Sequence, residues 1–173
     1  MGTYEIATSL LAEFEQELGT TRKFLERVPE GQLAWRPHEK SMTVGQLALH
    51  IAQVPEGVLR FSQPNESPLP DMSRERPQPT TLRGVLDALD QSAAYLWQTL
   101  PAIDDTRMRE TFRVTHGGNV AMSLPRAAFL RSVMLNHSYH HRGQLGVYLR
   151  LLGVSVPSSY GPSGDEMPDF ASE

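Results

Sequence analysis

Apolar side chains recur every three or four positions in four stretches of the chain, the period of a helix with one buried face. The first runs from about Tyr4 to Val28, carrying Ile6, Leu10, Phe14, Leu18, Thr21, Leu25 and Val28 on its stripe, and Pro29 and Gly31 end it. The second runs from about Val44 to Phe61, with Val44, Leu47, Ile51, Val54 and Val58 in line. Thr43 followed by Gln46 reads as a capping box, and Pro55 predicts a kink because it removes one ladder hydrogen bond. The third spans about Leu82 to Leu100, with Thr81 as its cap and Leu82, Val85, Leu86, Leu89, Ala93 and Leu96 inward. The fourth and longest spans about Leu124 to Leu152, with Ser123 as candidate cap, Pro125 in the first turn and Gly153 as the stop.

The links between these stretches differ. Helices two and three are joined by a segment containing Pro64, Pro68, Pro70, Pro77 and Pro79, long enough to cross a bundle, so the two need not be antiparallel neighbours. Between helices three and four, Glu110 to Ser123 alternates around His116-Gly117-Gly118-Asn119 and could form a small hairpin. From Ser155 the tail is rich in Pro, Ser and Gly and is expected to pack as an ordered loop before fraying. The expectation is an all-α fold: a four-helix bundle with a long crossover between helices two and three.

Composition narrows the chemistry. The 173 residues fit one domain, 1–173. A net charge of -4 without a basic cluster argues against nucleic acid as a partner. The chain has no cysteine, which excludes disulfides, iron–sulfur sites and a thiol nucleophile of its own. No apolar run approaches the roughly 20 residues of a membrane helix, and the first residues lack a signal-peptide core. Gly2 opens no myristoylation signal, because Ile6 stands where Ser or Thr is needed. These features point to a cytoplasmic protein without a membrane partner.

Of six histidines, two stand out. His137 and His141 lie one turn apart near the middle of the apolar face of helix four, which also carries Leu130, Val133, Met134, Gln144, Leu145, Tyr148 and Leu152. Each imidazole has two polar nitrogens, and an unpaired buried polar group costs about 1–3 kcal/mol. A metal ion relieves that cost by taking one nitrogen from each ring, and the i, i+4 spacing lets one ion reach both. His50, at the edge of the helix-two stripe, fits as the third ligand. Three histidines leave a coordination position open, as catalytic sites do. His140 lies at the edge of the stripe, while His38 and His116 fall in predicted loops. Residues 137–141 read His-Ser-Tyr-His-His, so the glutamate of a zincin is absent. No Glu-x-x-His pair supports a di-iron carboxylate bundle either.

The run His137-Ser138-Tyr139-His140-His141-Arg142-Gly143-Gln144-Leu145, continuing to Tyr148 and Gly153, resembles the signature of the bacterial DinB-like proteins. So do Trp35-Arg36-Pro37, Lys40 to His50, and the tail from Val156 to Glu166. These stretches follow the family's order along the chain; residues 60 to 120 carry no matching motif. The resemblance implies a four-helix bundle with a long crossover, usually a homodimer. It also implies a metal triad of one histidine on helix two and two on helix four, which carries over onto His50, His137 and His141. Its relatives include metal-dependent transferases and isomerases that activate a low-molecular-weight thiol such as bacillithiol, mycothiol or glutathione.

The functional expectation is one divalent ion, with zinc, nickel and iron leading the candidates. It would activate a low-molecular-weight thiol for attack on an electrophilic small molecule. A metal-hydroxide hydrolase, with His140 as candidate base, and a non-catalytic metal- or ligand-binding protein are the alternatives. Arg142, Gln144 and Tyr148 lie near the triad and are candidates to hold substrate or to hydrogen-bond its ligands; the plainer expectation is Arg142 as a surface or dimer contact, Gln144 and Tyr148 as packing at the core edge. Trp35 and the Tyr160-Gly161-Pro162 turn are candidates for a pocket wall, for plain aromatic packing or for a dimer contact.

Overall fold

The structure, a computed structural model, describes residues 2–168. Its long helices are α1 (Glu5–Glu26), α2 (Val44–Phe61), α3 (Leu82–Thr99) and a C-terminal helix wound in three parts. Those parts are α5 (Arg126–Phe129), a π-helical segment (Leu130–Asn136) and α6 (His137–Leu151). The short helix α4 (Asp105–Arg109) and the strands β1 (Glu66–Pro68), β2 (Thr111–His116) and β3 (Asn119–Pro125) complete the order.

Local sequence chemistry fixes several of the boundaries. The Thr43 hydroxyl accepts the Gln46 N–H, and the Gln46 side chain accepts the Thr43 N–H, each at 3.0 Å, the expected capping box. Thr81 caps α3 by accepting the Gly84 N–H at 3.1 Å. Gly153, at φ 70°, stops the last helix, with the Val154 N–H reaching back to the Leu149 carbonyl. Through Pro55, α2 stays continuous, and the Glu56 N–H that follows is donated to Ser92 Oγ of α3 at 2.9 Å.

Side-chain pairs give the helix directions. Glu56 meets Ser92 and the Arg60 guanidinium lies over the Tyr95 ring, so α2 and α3 run parallel as direct neighbours. Arg22 pairs with Asp90, and Trp97 donates to Glu15, so α1 and α3 are antiparallel. Arg131 pairs with Glu13 and Arg142 with Glu17, so the C-terminal helix runs parallel to α1. The crossover from residue 62 to 81 makes this up-down-down-up arrangement possible, since it returns the chain to the end where α2 began.

The fold is not all-α. β2 and β3 form the hairpin suggested by the alternation, turning on Gly117 and Gly118 at φ 57° and 80°, the backbone of a two-residue primed turn. β1, from the crossover, adds to β2 in parallel, pairing Ser67 with Val114. Phe112 and Val114 turn inward and pack with Phe129, against Val58, Phe61 and Val133 of the helices. Ser123 therefore does not cap the last helix: it and Leu124 belong to β3, opposite Arg113 and Phe112. The helix begins only after Pro125, whose ψ of 141° is still extended.

Arg142 departs from the surface position expected of it. Only 2% exposed, it pairs with Glu17 at 2.6 Å, donates to Thr21 Oγ1, and lies against the Tyr139 and Tyr160 rings. Trp35 stacks edge-on to Tyr148, as plain aromatic packing. The tail packs as the expected ordered loop, with Arg150 paired with Asp165, Arg27 with Glu166, and Ser163 donating to the Val156 carbonyl; the fraying expected after it falls outside the described residues. No helix among the described residues is long and apolar enough to cross a membrane.

Candidate metal centre

Three imidazoles meet where α2 and α6 pack together. The His50 and His137 Nε2 atoms are 3.1 Å apart, and those of His141 and His137 are 3.0 Å apart. One ligand atom from each of the three residues lies within 4.8 Å of the other two. These are the residues that the sequence pattern singles out. His140 stays exposed beside His141 rather than joining the cluster.

Proton bookkeeping explains why this arrangement suits a cation. His141 Nδ1 is 2.8 Å from Gln144 Oε1. An amide oxygen can only accept, so the proton sits on Nδ1 and leaves Nε2 as a bare lone pair. His137 Nε2 carries at most one proton, so it can satisfy either His50 or His141 but not both. One lone-pair contact at about 3 Å therefore remains in the protein alone. A tetrahedral ion with bonds of roughly 2.0–2.1 Å to nitrogen needs ligand atoms about 3.3 Å apart, close to the 3.1 and 3.0 Å that separate His137 from His50 and from His141. The donor set fits a divalent metal.

The electrostatics agree. Burial, then the neighbouring His141 and His137 and the Arg76 guanidinium, hold the His50 imidazole down at about 4. Burial, with His140 and Arg76, also lowers His137. His141 is lowered by burial, which outweighs the opposing bond to Gln144. All three rings are neutral at pH 7 and free to act as ligands, and no carboxylate among the described residues acts on any of them. In the metal-free protein these depressed values make stability depend on pH. The unfolded chain binds protons near 6.5 and the folded one does not, so the contribution of His50 is complete above 6.5 and is lost as pH falls towards 4. Thermal melting of metal-free protein at pH 7, 5.5 and 4.5 should show a falling midpoint, and the fall should be smaller in His50→Phe.

The surroundings of the cluster are uneven. On one side of His50 a cavity of about 450 Å3 opens between α2, the C-terminal helix and the sheet, lined by Val54, Val58, Phe61, Val114, Phe129 and Val133 among others. On the other side the crossover passes close by, with Arg76 and Pro77 over His50 and Gln53. It is pinned there by Gln78, which accepts from Thr43 Oγ1 and donates to the Leu33 carbonyl. A Cβ on Gly45 would come within 2.8 Å of the Gln78 side chain, so glycine permits this close approach. Arg76 pairs with no carboxylate among the described residues. Sequence reasoning missed both the cavity and Arg76, whose residues come from separate segments with no shared motif.

Comparison with known proteins agrees with this picture. The family model described as the DinB family matches residues 1–169. An uncharacterised protein of Bacillus subtilis (strain 168), YrdA, is 24% identical over 172 residues, covering 98% of this chain and 97% of that one. A DinB-like protein of Bacillus cereus ATCC 10987 superposes with a TM-score of 0.68 at 23% identity, over 87% of this chain and 95% of its own. YfiT of Bacillus subtilis, described as a probable metal-dependent hydrolase with an unusual four-helix bundle topology, superposes with a TM-score of 0.65 at 17% identity, over 88% and 91% of the two chains. With its family model matched almost end to end and its bundle shared by these structures, the chain belongs to the DinB family.

Proposed function

We propose that this protein is a metal-dependent transferase that joins a low-molecular-weight thiol to an electrophilic small molecule. The observation that carries this reading is a converging set of three neutral histidines with no carboxylate among the described residues beside them, one of which, His50, lines an apolar cavity. A divalent ion held by His50, His137 and His141 keeps its full charge and supplies Lewis acidity that lowers the pKa of a thiol or of water. A thiol, with an ordinary pKa near 8.5, needs only a modest shift to ionise at neutral pH. Water starts much higher, and the described residues around the site offer no carboxylate to take its proton.

The chain's own residues would do the rest. Gln144 fixes the His141 tautomer and so keeps the Nε2 lone pair aimed into the site. Arg76 faces the triad without a carboxylate partner among the described residues and attracts an anionic thiol cosubstrate. Gln53 lines both spaces beside His50 and can hydrogen-bond a polar group on the electrophile. The apolar wall keeps water away from the reacting atoms.

Hydrolysis is the second reading, favoured by the description of YfiT, a structural neighbour. One experiment separates the two. The metal content of purified protein is measured, and loss of monobromobimane and of p-nitrophenyl acetate is followed with each of several thiols and with none. Loss that needs both thiol and metal, and stops with chelator, is the expected result. Loss that needs metal alone would replace the transferase by a hydrolase. No turnover with any divalent metal would leave a binding protein.

A further inference from the structure

We infer that the cavity beside the three histidines takes an uncharged apolar body that extends up to about ten carbons along α2, and that Gly57 sets the size it admits. The inference deepens the function proposed above and depends on it only for the reacting end of the ligand.

Polarity is confined to one end of this cavity. His50 of the triad and Gln53 stand there, and every other lining residue is apolar or glycine. No charged side chain among the described residues lines the wall, so a charged body would lose its hydration without compensation. From His50 to Phe61, both of which line it, α2 rises about 16 Å at roughly 1.5 Å per residue. The far end is closed by the packed rings of Phe61, Phe112 and Phe129. Leu69 and Met122, each 43% exposed, form an apolar rim at the mouth. A ligand with its polar end at the histidines and an apolar chain along α2 satisfies both regions.

Gly57 gives the inference its handle. It lies inside α2, where glycine is the weakest helix former after proline, and a Cβ built on it meets nothing within 4 Å. Larger side chains there would favour the helix and occupy the cavity. Gly57→Leu should therefore fold at least as stably as the natural chain while shortening the space for a ligand.

The test uses two homologous series. Metal-loaded protein is titrated with n-alkanehydroxamic acids of about two to twelve carbons, whose head group can bind a metal, and metal-free protein with n-alkanols of the same lengths. Affinity should rise about fourfold for each added methylene, the value of burying one such group, and level off near ten carbons. In Gly57→Leu the rise should stop several carbons earlier, with acetohydroxamate binding unchanged. Affinity that does not grow with chain length in either series would overturn the inference. So would a length dependence that vanishes as protein concentration is raised, since a second copy would then cover the cavity. If both series lengthen in affinity but hydroxamates bind no better than alkanols, the metal reading fails and the cavity assignment stands.

Discussion

Replacing His137 with alanine should abolish stoichiometric metal binding and leave the bundle folded. Its Nε2 stands between the other two, at 3.1 Å from His50 and 3.0 Å from His141, so its loss breaks the set at the centre. Losing a residue that merely orients a ligand typically costs 10–100-fold in affinity, and loss of a ligand itself should cost more, about a thousandfold. The stabilisation that metal confers, about 2.7 kcal/mol at a hundredfold excess over its dissociation constant, should vanish with it. The metal-free variant should melt no lower than the metal-free natural chain, because the unresolved lone-pair contact goes too. Metal analysis after dialysis, with melting curves in the presence and absence of zinc or nickel, reads both effects. Stoichiometric metal in both His137→Ala and His50→Ala would show that the triad assignment is wrong.

A second large effect is expected away from the cluster. Glu17→Ala leaves the Arg142 guanidinium buried without its carboxylate, in a place where only the Glu17 carbonyl, Thr21 Oγ1 and two aromatic faces remain. Breaking a buried pair by removing one partner costs about 3–5 kcal/mol, whereas replacing both partners by apolar residues is often neutral. Denaturant unfolding should show that loss for Glu17→Ala and recover most of it in the Glu17→Leu, Arg142→Met double variant. A loss below about 1 kcal/mol, the range of solvated pairs, would mean that water reaches Arg142.

Most of the helical frame was legible because its signals are local. Thr43 with Gln46, Thr81 and Gly153 mark helix ends by chemistry that acts within a few residues. His137 and His141 were legible because an α-helix brings residues four apart to one side, and His50 because its neighbours on α2 are apolar. What escaped depends on partners distant in sequence. β1 is a strand only because β2 offers it an edge: Glu66-Ser67-Pro68 has no β-branched residue and ends in proline. Arg142 follows two histidines in a polar run and looks like surface until α1 supplies Glu17. Ser123 has the residue type of a cap, but the hairpin pairing of its neighbour Leu124 with Phe112 claims that stretch for the sheet.

The π-helical segment escaped for a related reason, since its five-residue step shows only as Phe129 and Leu130 followed by Met134 and Leu135, all buried. In an α-helix, four residues advance about 40° beyond a full turn, so a row spaced by four drifts steadily around the axis. The wider winding of a π-helix falls short of a full turn over the same four residues. Here the His137 N–H bonds back to Ser132, five residues away, and the two drifts offset each other. Phe129, Val133, His137 and His141 can then form a single file along one helix, cavity wall below and metal ligands above. Deleting one residue within 130–136 would restore uniform winding and put the two halves of that file out of phase.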